Sequence, residues 1–273
     1  MTPIKTDHIA PRQFSLKVYL LLIILFSWPF QIVYLILGEA FRPILLLSMI
    51  MVAVGTFICG KYIFKDGFQG AGWHWGRPKH YLFAFLLALF LWFFPSVVEQ
   101  VFNWYTPLDQ INYSDITTTF IISFVITIIP AFSEEFGWRG YLLPRLLNKY
   151  STRKALLLHG LVTWIWHLPF ILDMGLNAGE NSLIYVPMVM IVSFIPTILH
   201  AIVFAYLWSR TASLAVATFY HVCFDEVRDT LEETIGLGTF AQNWQMLVLT
   251  ILGVWLLFMG KWYFKNINTM DSL

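Results

Sequence analysis

The stretch SEEFGWRG, residues 133–140, sets two adjacent glutamates directly behind an apolar run that begins at Ile116. That run is long enough to cross the hydrocarbon core of a bilayer as one helix. Ionisable side chains at membrane depth are costly, and they are usually paired or functional. Arg139 follows Glu135 by four residues, so these two side chains are predicted to pair along one helix face. Glu134 lies about 100° around the helix and is predicted to be the free acid of the two.

The composition of the chain indicates an integral membrane protein. Of its 273 residues 58% are hydrophobic and only 12% are charged, and the mean hydropathy is +0.69. A soluble domain carries about 25% charged residues. The formal net charge of +1 gives no sign of a nucleic-acid partner. The predicted surroundings of the protein are the lipid bilayer. Cys59 and Cys223 lie in apolar runs and predict no disulfide framework.

Apolar runs of membrane-spanning length predict an all-α polytopic membrane protein with about eight transmembrane helices. No internal repeat or low-complexity segment divides the chain, so residues 1–273 are predicted to form a single transmembrane domain. The predicted spans are Phe14–Leu37, Ile44–Gly60, Tyr81–Val98, Ile116–Ser133 with a continuation to about Leu147, Ala155–Leu172, Ser182–Trp208, Thr211–Phe224 and Thr234–Gly260.

The placement of lysine and arginine predicts the orientation of these spans. With the N-terminus inside, all 17 lysines and arginines except Arg42 and Arg228 fall in cytoplasmic segments. Cytoplasmic loops of membrane proteins carry an excess of these residues. The chain is therefore predicted to be a multi-pass protein of the cell membrane with both termini in the cytoplasm.

Two histidines at matching depth extend the candidate site beyond the glutamates. His167 and His221 lie roughly 18 Å and roughly 15 Å from the cytoplasmic ends of their spans, at 1.5 Å per helical residue. Asp225 follows His221 by one turn and is predicted to orient its ring or to add a ligand. His159 and His200 are interpreted as hydrogen-bonded core residues. The predicted site therefore lies between helices 4, 5 and 7.

The motifs across residues 116–226 resemble a known family, the CPBP (CAAX prenyl protease and bacteriocin-processing, Abi) intramembrane proteases. Any one of the motifs is a weak signal, whereas three in the family's order on three spans are strong. They read Glu134-Glu135-x-x-x-Arg139, Trp164-x-Trp166-His167-Leu168-Pro169 and His221-x-x-x-Asp225.

The resemblance implies that residues 116–226 form the catalytic core of an intramembrane endopeptidase. Its implied substrate is a peptide or protein, such as a prenylated protein or a peptide or bacteriocin-type precursor. The resemblance also implies a set of catalytic residues with two supporting ones: Glu134, His167, His221 and Asp225, supported by Glu135 and Arg139.

Two versions of the chemistry stay open at this point. In the first, Glu134 takes a proton from the attacking water, which His167 shares or positions. In the second, Glu134, His167 and His221 hold one zinc ion with an open position for water, as in a metalloprotease. The chain lacks a His-Glu-x-x-His motif, so it is not a zincin.

Asp225 departs from the family pattern, which usually has asparagine at this position. An amide can donate a hydrogen bond to a developing oxyanion, whereas an ionised carboxylate cannot. Three roles stay open for Asp225: an ionised orienter of His221, an ionised metal ligand, or a carboxyl held protonated that acts near the oxyanion as the amide would. The motif position favours the role near the oxyanion.

Two functions of other classes compete with peptide hydrolysis. A non-catalytic membrane scaffold or immunity protein would keep the fold without using the acids. A proton-coupled transporter would also place glutamates and histidines within the membrane. The lack of an inverted repeat and of paired broken helices speaks against the transporter.

The predicted orientation can be tested by labelling single cysteines introduced at three positions. Because basic residues concentrate on one side, Lys5→Cys and Lys265→Cys should react only after the membrane is permeabilised, whereas Asp109→Cys should react in intact cells. Reaction of position 265 in intact cells would contradict the eight-span arrangement.

Overall fold

The computed structural model of the chain describes residues 13–104, 113–177 and 181–264. Its regular structure in these ranges is helical throughout, without a strand, so the predicted all-α membrane fold is confirmed. The predicted cytoplasmic Lys5 and Lys265 and the predicted external Asp109 lie outside the described residues. The orientation of the termini therefore stays a prediction.

The described helices follow one another with short connections. Several runs contain a π-helical segment, in which backbone hydrogen bonds join residues five apart instead of four. Such segments occupy Cys59–Ile63, Leu89–Phe93 and Phe136–Leu142. The α-helices are α1 (Leu16–Leu37), α2 (Ile44–Ile58), α3 (Pro78–Ala88), α4 (Phe94–Val101), α5 (Tyr113–Glu135), α6 (Leu143–Lys149), α7 (Thr152–Trp166), α8 (Leu168–Leu176), α9 (Ser182–Thr211), α10 (Leu214–Thr234) and α11 (Thr239–Met259).

Six continuous helical runs among the described residues are long and apolar enough to cross a membrane, and the bent pair α7–α8 makes a seventh if it is one span. The predicted seventh span, Thr211–Phe224, corresponds to α10, which has the length but carries several charged side chains after Phe224. The count of eight therefore stays a prediction. The six runs are Leu16–Leu37, Ile44–Ile63, Pro78–Val101, Ile116–Lys149, Ser182–Thr211 and Thr239–Met259.

The predicted span Ala155–Leu172 corresponds to two helices, α7 and α8, rather than to one continuous helix. The chain bends by 51° between α7 and α8, and His167 is the residue at the bend. Pro169 explains the bend, because proline lacks a backbone N–H and its ring clashes with the carbonyl four residues earlier. The predicted span Thr211–Phe224 also differs from the structure, since Thr211 ends α9 and α10 continues to Thr234.

The π-helical segment Phe136–Leu142 lies at the centre of the bundle, and all of its residues are buried. α5 packs against α2 and α10, while α9 packs against α7, α8 and α11. The buried apolar side chains form two clusters, one around α9 and α10 and one around α1 and α2. Phe136 belongs to the first cluster and Trp138 to the second, so the segment after the paired glutamates joins both halves of the core.

A close approach of α2 fixes the position of this segment. A Cβ atom on Gly137 would lie 2.4 Å from Cγ1 of Val52 and 2.9 Å from Oγ1 of Thr56, so only glycine fits there. The Tyr19 hydroxyl donates a hydrogen bond of 3.0 Å to the backbone oxygen of Gly137 and lies 2.9 Å from Oγ1 of Thr56. These contacts hold the backbone directly behind the glutamates.

Glu99, which the sequence did not single out, joins α4 to the start of α11. The side chain is 2% exposed, and its carboxylate accepts hydrogen bonds from the backbone N–H groups of Gly238, Phe240 and Ala241 at 3.1, 2.8 and 3.1 Å. A carboxylate at a helix N-terminus satisfies otherwise unpaired N–H groups and suits the helix dipole.

Replacing Glu99 with glutamine should lower the stability of the protein by about 1–3 kcal/mol. The amide keeps one acceptor oxygen, but its NH₂ group opposes a buried backbone N–H that the second carboxylate oxygen had satisfied. Thermal unfolding in detergent measures the change, with the exposed Glu232→Gln as the matched control. Equal melting temperatures for Glu99→Gln and Glu232→Gln would contradict the capping role.

Candidate active site

The ion pair that the sequence predicted between Glu135 and Arg139 is confirmed. The Arg139 guanidinium donates to Oε1 of Glu135 at 2.7 Å, and both side chains are buried. The same guanidinium lies over the ring of Phe204, 3.9 Å from its centre, so α9 closes the pair from the other side. A cation over an aromatic face is stabilised by the ring quadrupole. Protein groups therefore enclose the pair where water would otherwise solvate it.

His221 lies between two carboxylates from different helices. Its Nδ1 is 2.8 Å from Oε1 of Glu135 on α5, and its Nε2 is 3.2 Å from Oδ2 of Asp225 on α10. Ionised carboxylates only accept hydrogen bonds, so a ring that bonds to two of them donates from both nitrogens and is positively charged. The sequence groups His221 with Glu134 and assigns Glu135 only a supporting role. In the structure it is Glu135 that contacts His221 directly.

Asp225 lies between two cations. Its Oδ2 faces His221, and its Oδ1 is 3.2 Å from Nη1 of Arg228. A carboxylate flanked by two cations is held in its ionised form, and in that form it cannot donate to an oxyanion. The geometry thus favours the orienting role of Asp225 over the amide-like role that the motif position suggested.

Glu134 occupies a separate position beside this ion chain. The side chain is 4% exposed, and its Oε2 accepts a hydrogen bond of 3.0 Å from the indole N–H of Trp138. The charge of Glu134 interacts with those of His221 and Asp225, although neither of them bonds to it. Glu134 and Glu135 are thus separated as predicted, but Glu134 is not wholly free, since Trp138 holds one of its oxygens.

His167 lies at the bend between α7 and α8. Its Nδ1 is 2.8 Å from the backbone oxygen of Thr163, and its ring meets that of Trp166 edge-on, with centres 4.6 Å apart. A carbonyl oxygen only accepts, so Nδ1 carries the proton and Nε2 of the neutral ring is left as an acceptor. His167 also interacts electrostatically with His221 and Asp225, which brings all four predicted catalytic residues to one region.

The predicted zinc set does not fit this arrangement. Among the described residues, no group of three or more His, Cys, Asp or Glu side chains is arranged to hold a metal ion. Both ring nitrogens of His221 are already bonded to Glu135 and Asp225, and a histidine ligand needs one bare nitrogen. Glu134 and His167 alone would supply only two ligands.

Sequence reasoning missed Trp138 and Arg228 as members of the site. Each carries a signal in the sequence: Trp138 follows Glu134 by four residues, and Arg228 follows Asp225 by three, spacings that bring helical side chains together. Of the two histidines interpreted as hydrogen-bonded core residues, only His200 has the expected hydrogen bond, since both ring nitrogens of His159 are buried without one. His159 is fully buried, and Nε2 of His200 lies 3.2 Å from the hydroxyl of Tyr220.

Comparison with known proteins identifies this region. Residues 116–227 match the family described as "Type II CAAX prenyl endopeptidase Rce1-like". A curated relative, "CAAX prenyl protease 2" from Methanococcus maripaludis, is 34% identical over 67 residues, which are 23% of this chain. The match spans only about a quarter (25%) of that relative's length. Residues 116–227 are thus similar to the Rce1-like type II CAAX prenyl endopeptidases, and both matches support the resemblance to the CPBP family that the three motifs predicted.

Proposed function

We propose that this protein is an intramembrane endopeptidase in which Glu134 activates water for the hydrolysis of a peptide bond near the membrane. The observation that carries the proposal is the buried Glu134 beside the ion chain of Glu135, His221 and Asp225, within the segment that matches the endopeptidase family. Acids that are buried among aligned opposite charges are typical of catalytic sites.

The two side chains with unused acceptor atoms receive the water. Oε2 of Glu134 is held by Trp138, so the second oxygen takes one proton from water, and Nε2 of His167 accepts a hydrogen bond from the other hydrogen, which stays on the water oxygen. The water oxygen then bonds to the scissile carbonyl carbon, and the π electrons of the C=O bond move to the carbonyl oxygen, which becomes the oxyanion. When the carbon–nitrogen bond breaks, Glu134 returns the proton to the leaving amine.

His221 contributes charge rather than a proton. Its two N–H groups stay bonded to Glu135 and Asp225, so the ring keeps one orientation and a positive charge next to the reacting carbonyl. A fixed positive charge near a developing oxyanion stabilises the transition state more than the ground state. Asp225 acts through His221 and does not itself touch the oxyanion.

An apolar cavity beside α10 favours a substrate that carries a lipid chain. The cavity has a volume of about 250 Å³, lies between α3, α5 and α10, and is open where Ile121 and Val125 are exposed; on α10 it is lined by Phe219 and Cys223, about 160° around the helix from His221. Only apolar side chains and one thiol line it, which suits a hydrocarbon and not a charged peptide. Among the substrate classes that the family resemblance implies, this lining favours a prenylated protein. The lining residues include Phe85, Phe120, Phe124, Val125, Phe219 and Cys223.

Glu134→Gln should abolish peptidase activity, with a loss of at least about 10²-fold, because the amide cannot take a proton from water. Cleavage of a prenylated peptide by the purified protein measures the rate. Glu226→Gln is the matched control: Glu226 is also 4% exposed but contacts Thr127 on α5, so its variant should keep the parental rate.

Retained activity in Glu134→Gln would contradict the proposed mechanism. A parent protein that binds or transports but cleaves no peptide would favour the scaffold or the proton-coupled transporter.

Glu135→Gln should reduce both stability and activity. Oε1 of Glu135 serves Arg139 and His221 together, and breaking a buried ion pair costs about 3–5 kcal/mol. Glu134→Gln is the comparison variant, since its amide oxygen can still accept from Trp138 and its melting temperature should stay near that of the parent. Equal melting temperatures for the two variants in detergent would show that Glu135 does not hold the site together.

A further inference from the structure

A line of alternating charges runs from the centre of the bundle to its surface. It starts with the buried Arg139 and passes through Glu135, His221 and Asp225 to Arg228. Each contact in the line joins an anion to a cation at 3.2 Å or less. The side chain of Arg228 is 33% exposed, so the line begins in the dry interior and ends where solvent reaches.

Charge balance explains why the line needs Arg228. Glu134, Glu135 and Asp225 supply three carboxylates, whereas Arg139 and His221 supply only two cations. With asparagine at position 225, as the family motif usually has, two carboxylates would face two cations without Arg228. The aspartate of this chain adds one negative charge to a mostly buried cluster, and an uncompensated buried charge is costly.

The contacts of Arg228 match this requirement. Its Nη1 lies 3.2 Å from Oδ1 of Asp225, and its Nε donates to Oδ1 of Asp229, so two carboxylates fix its guanidinium. Arg228 is also one of only two basic residues that the sequence predicts on the non-cytoplasmic side. The other is Arg42, which lies 3.9 Å from Asp229 and 3.9 Å from Glu233, two residues near the C-terminal end of α10.

We propose that Arg228 is a positioning residue of the active site, which holds the Asp225 carboxylate against His221 and so allows aspartate where the family usually has asparagine. The inference rests on the proposed peptidase function. Arg228 compensates the charge of Asp225, while Asp229, which also contacts Arg228, has Arg42 as a second cation 3.9 Å away; either Asp225 or Arg228 without the other therefore leaves the site unbalanced. Through Asp225, Arg228 fixes the ring of His221 without touching the substrate.

A double-mutant cycle of kcat tests the proposal. Arg228→Gln alone and Asp225→Asn alone should each lower kcat by about 10–100-fold, the usual loss for a partner that orients a catalytic histidine, with little change in KM. The double variant Asp225→Asn/Arg228→Gln removes both charges, restores the asparagine of the family and should recover most of the parental kcat. Such strong non-additivity is the mark of two residues that act as a unit.

Arg42→Gln is the matched control, because Arg42 also pairs with carboxylates of α10 but lies outside the site, and it should keep the parental kcat. Arg228→Lys, which retains the charge, should fall between the parent and Arg228→Gln and shows that loss of activity in the latter is not misfolding. The proposal would be overturned if Arg228→Gln caused the same loss in the parent as in the Asp225→Asn variant. A parental rate in Arg228→Gln would overturn it as well.

A second readout separates this inference from the proposed function. The Nε2–H proton of His221, observed by NMR in nanodiscs, should shift strongly upfield in Arg228→Gln and stay unchanged in Arg42→Gln. Inactivity of the parent protein would refute the peptidase proposal alone, since the NMR shift still reports whether Arg228 positions Asp225. An unchanged Nε2–H resonance in Arg228→Gln would refute the positioning role even if the parent protein cleaves peptides.

Discussion

One carboxylate oxygen, Oε1 of Glu135, holds the two halves of the site together. It accepts from the guanidinium of Arg139 one turn later and from the ring of His221 on another helix. None of the three groups has much water around it, so each charge is stable only while the others stay in place. Because this contact is the link between the paired glutamates and α10, the geometry of the whole candidate site follows from it.

The fold is arranged to keep that oxygen in position. The π-helical segment directly behind Glu135 is buried between both core clusters, and Gly137 lets α2 approach its backbone. On the facing side, Phe204 covers Arg139, and Pro169 ends the straight course of α7 so that His167 lies at a bend. The π-helical segment, the packing of Phe204 and the bend before Pro169 therefore each position one side of the candidate site. π-helical segments occur frequently at functional sites, and this one fits that tendency.

The sequence predicted the parts of the structure that depend on local spacing. Hydropathy was sufficient for the all-α membrane fold, and the spacing of four residues was sufficient for the Glu135–Arg139 and His221–Asp225 contacts. The motif order also predicted the resemblance to the family whose description matches residues 116–227. Which of the two glutamates meets His221 was not predictable, because residues 86 positions apart are brought together by packing and not by helical periodicity.

Other features were missed for related reasons. The bend at His167 could have been read from Pro169, but hydropathy alone runs smoothly through it. In the sequence, Arg228 is one of two basic residues outside the predicted cytoplasmic segments. Its contact with Asp225 depends on the arrangement of the carboxylates around His221, which the sequence does not show. The zinc set does not fit because Nδ1 of His221 bonds to Glu135, a residue to which the sequence assigned only a supporting role.

The protonation state of His221 tests this view of the site most directly. In protein labelled with ¹⁵N at the histidine rings and assigned through a His221→Gln variant, the spectrum in nanodiscs reports each ring nitrogen separately. At about pH 8, above the ordinary titration range of histidine, both nitrogens of His221 should still be protonated, because each donates to a carboxylate. A neutral His221 ring with one bare nitrogen at that pH would contradict the ion chain from Arg139 to Arg228, and with it the proposed role of His221.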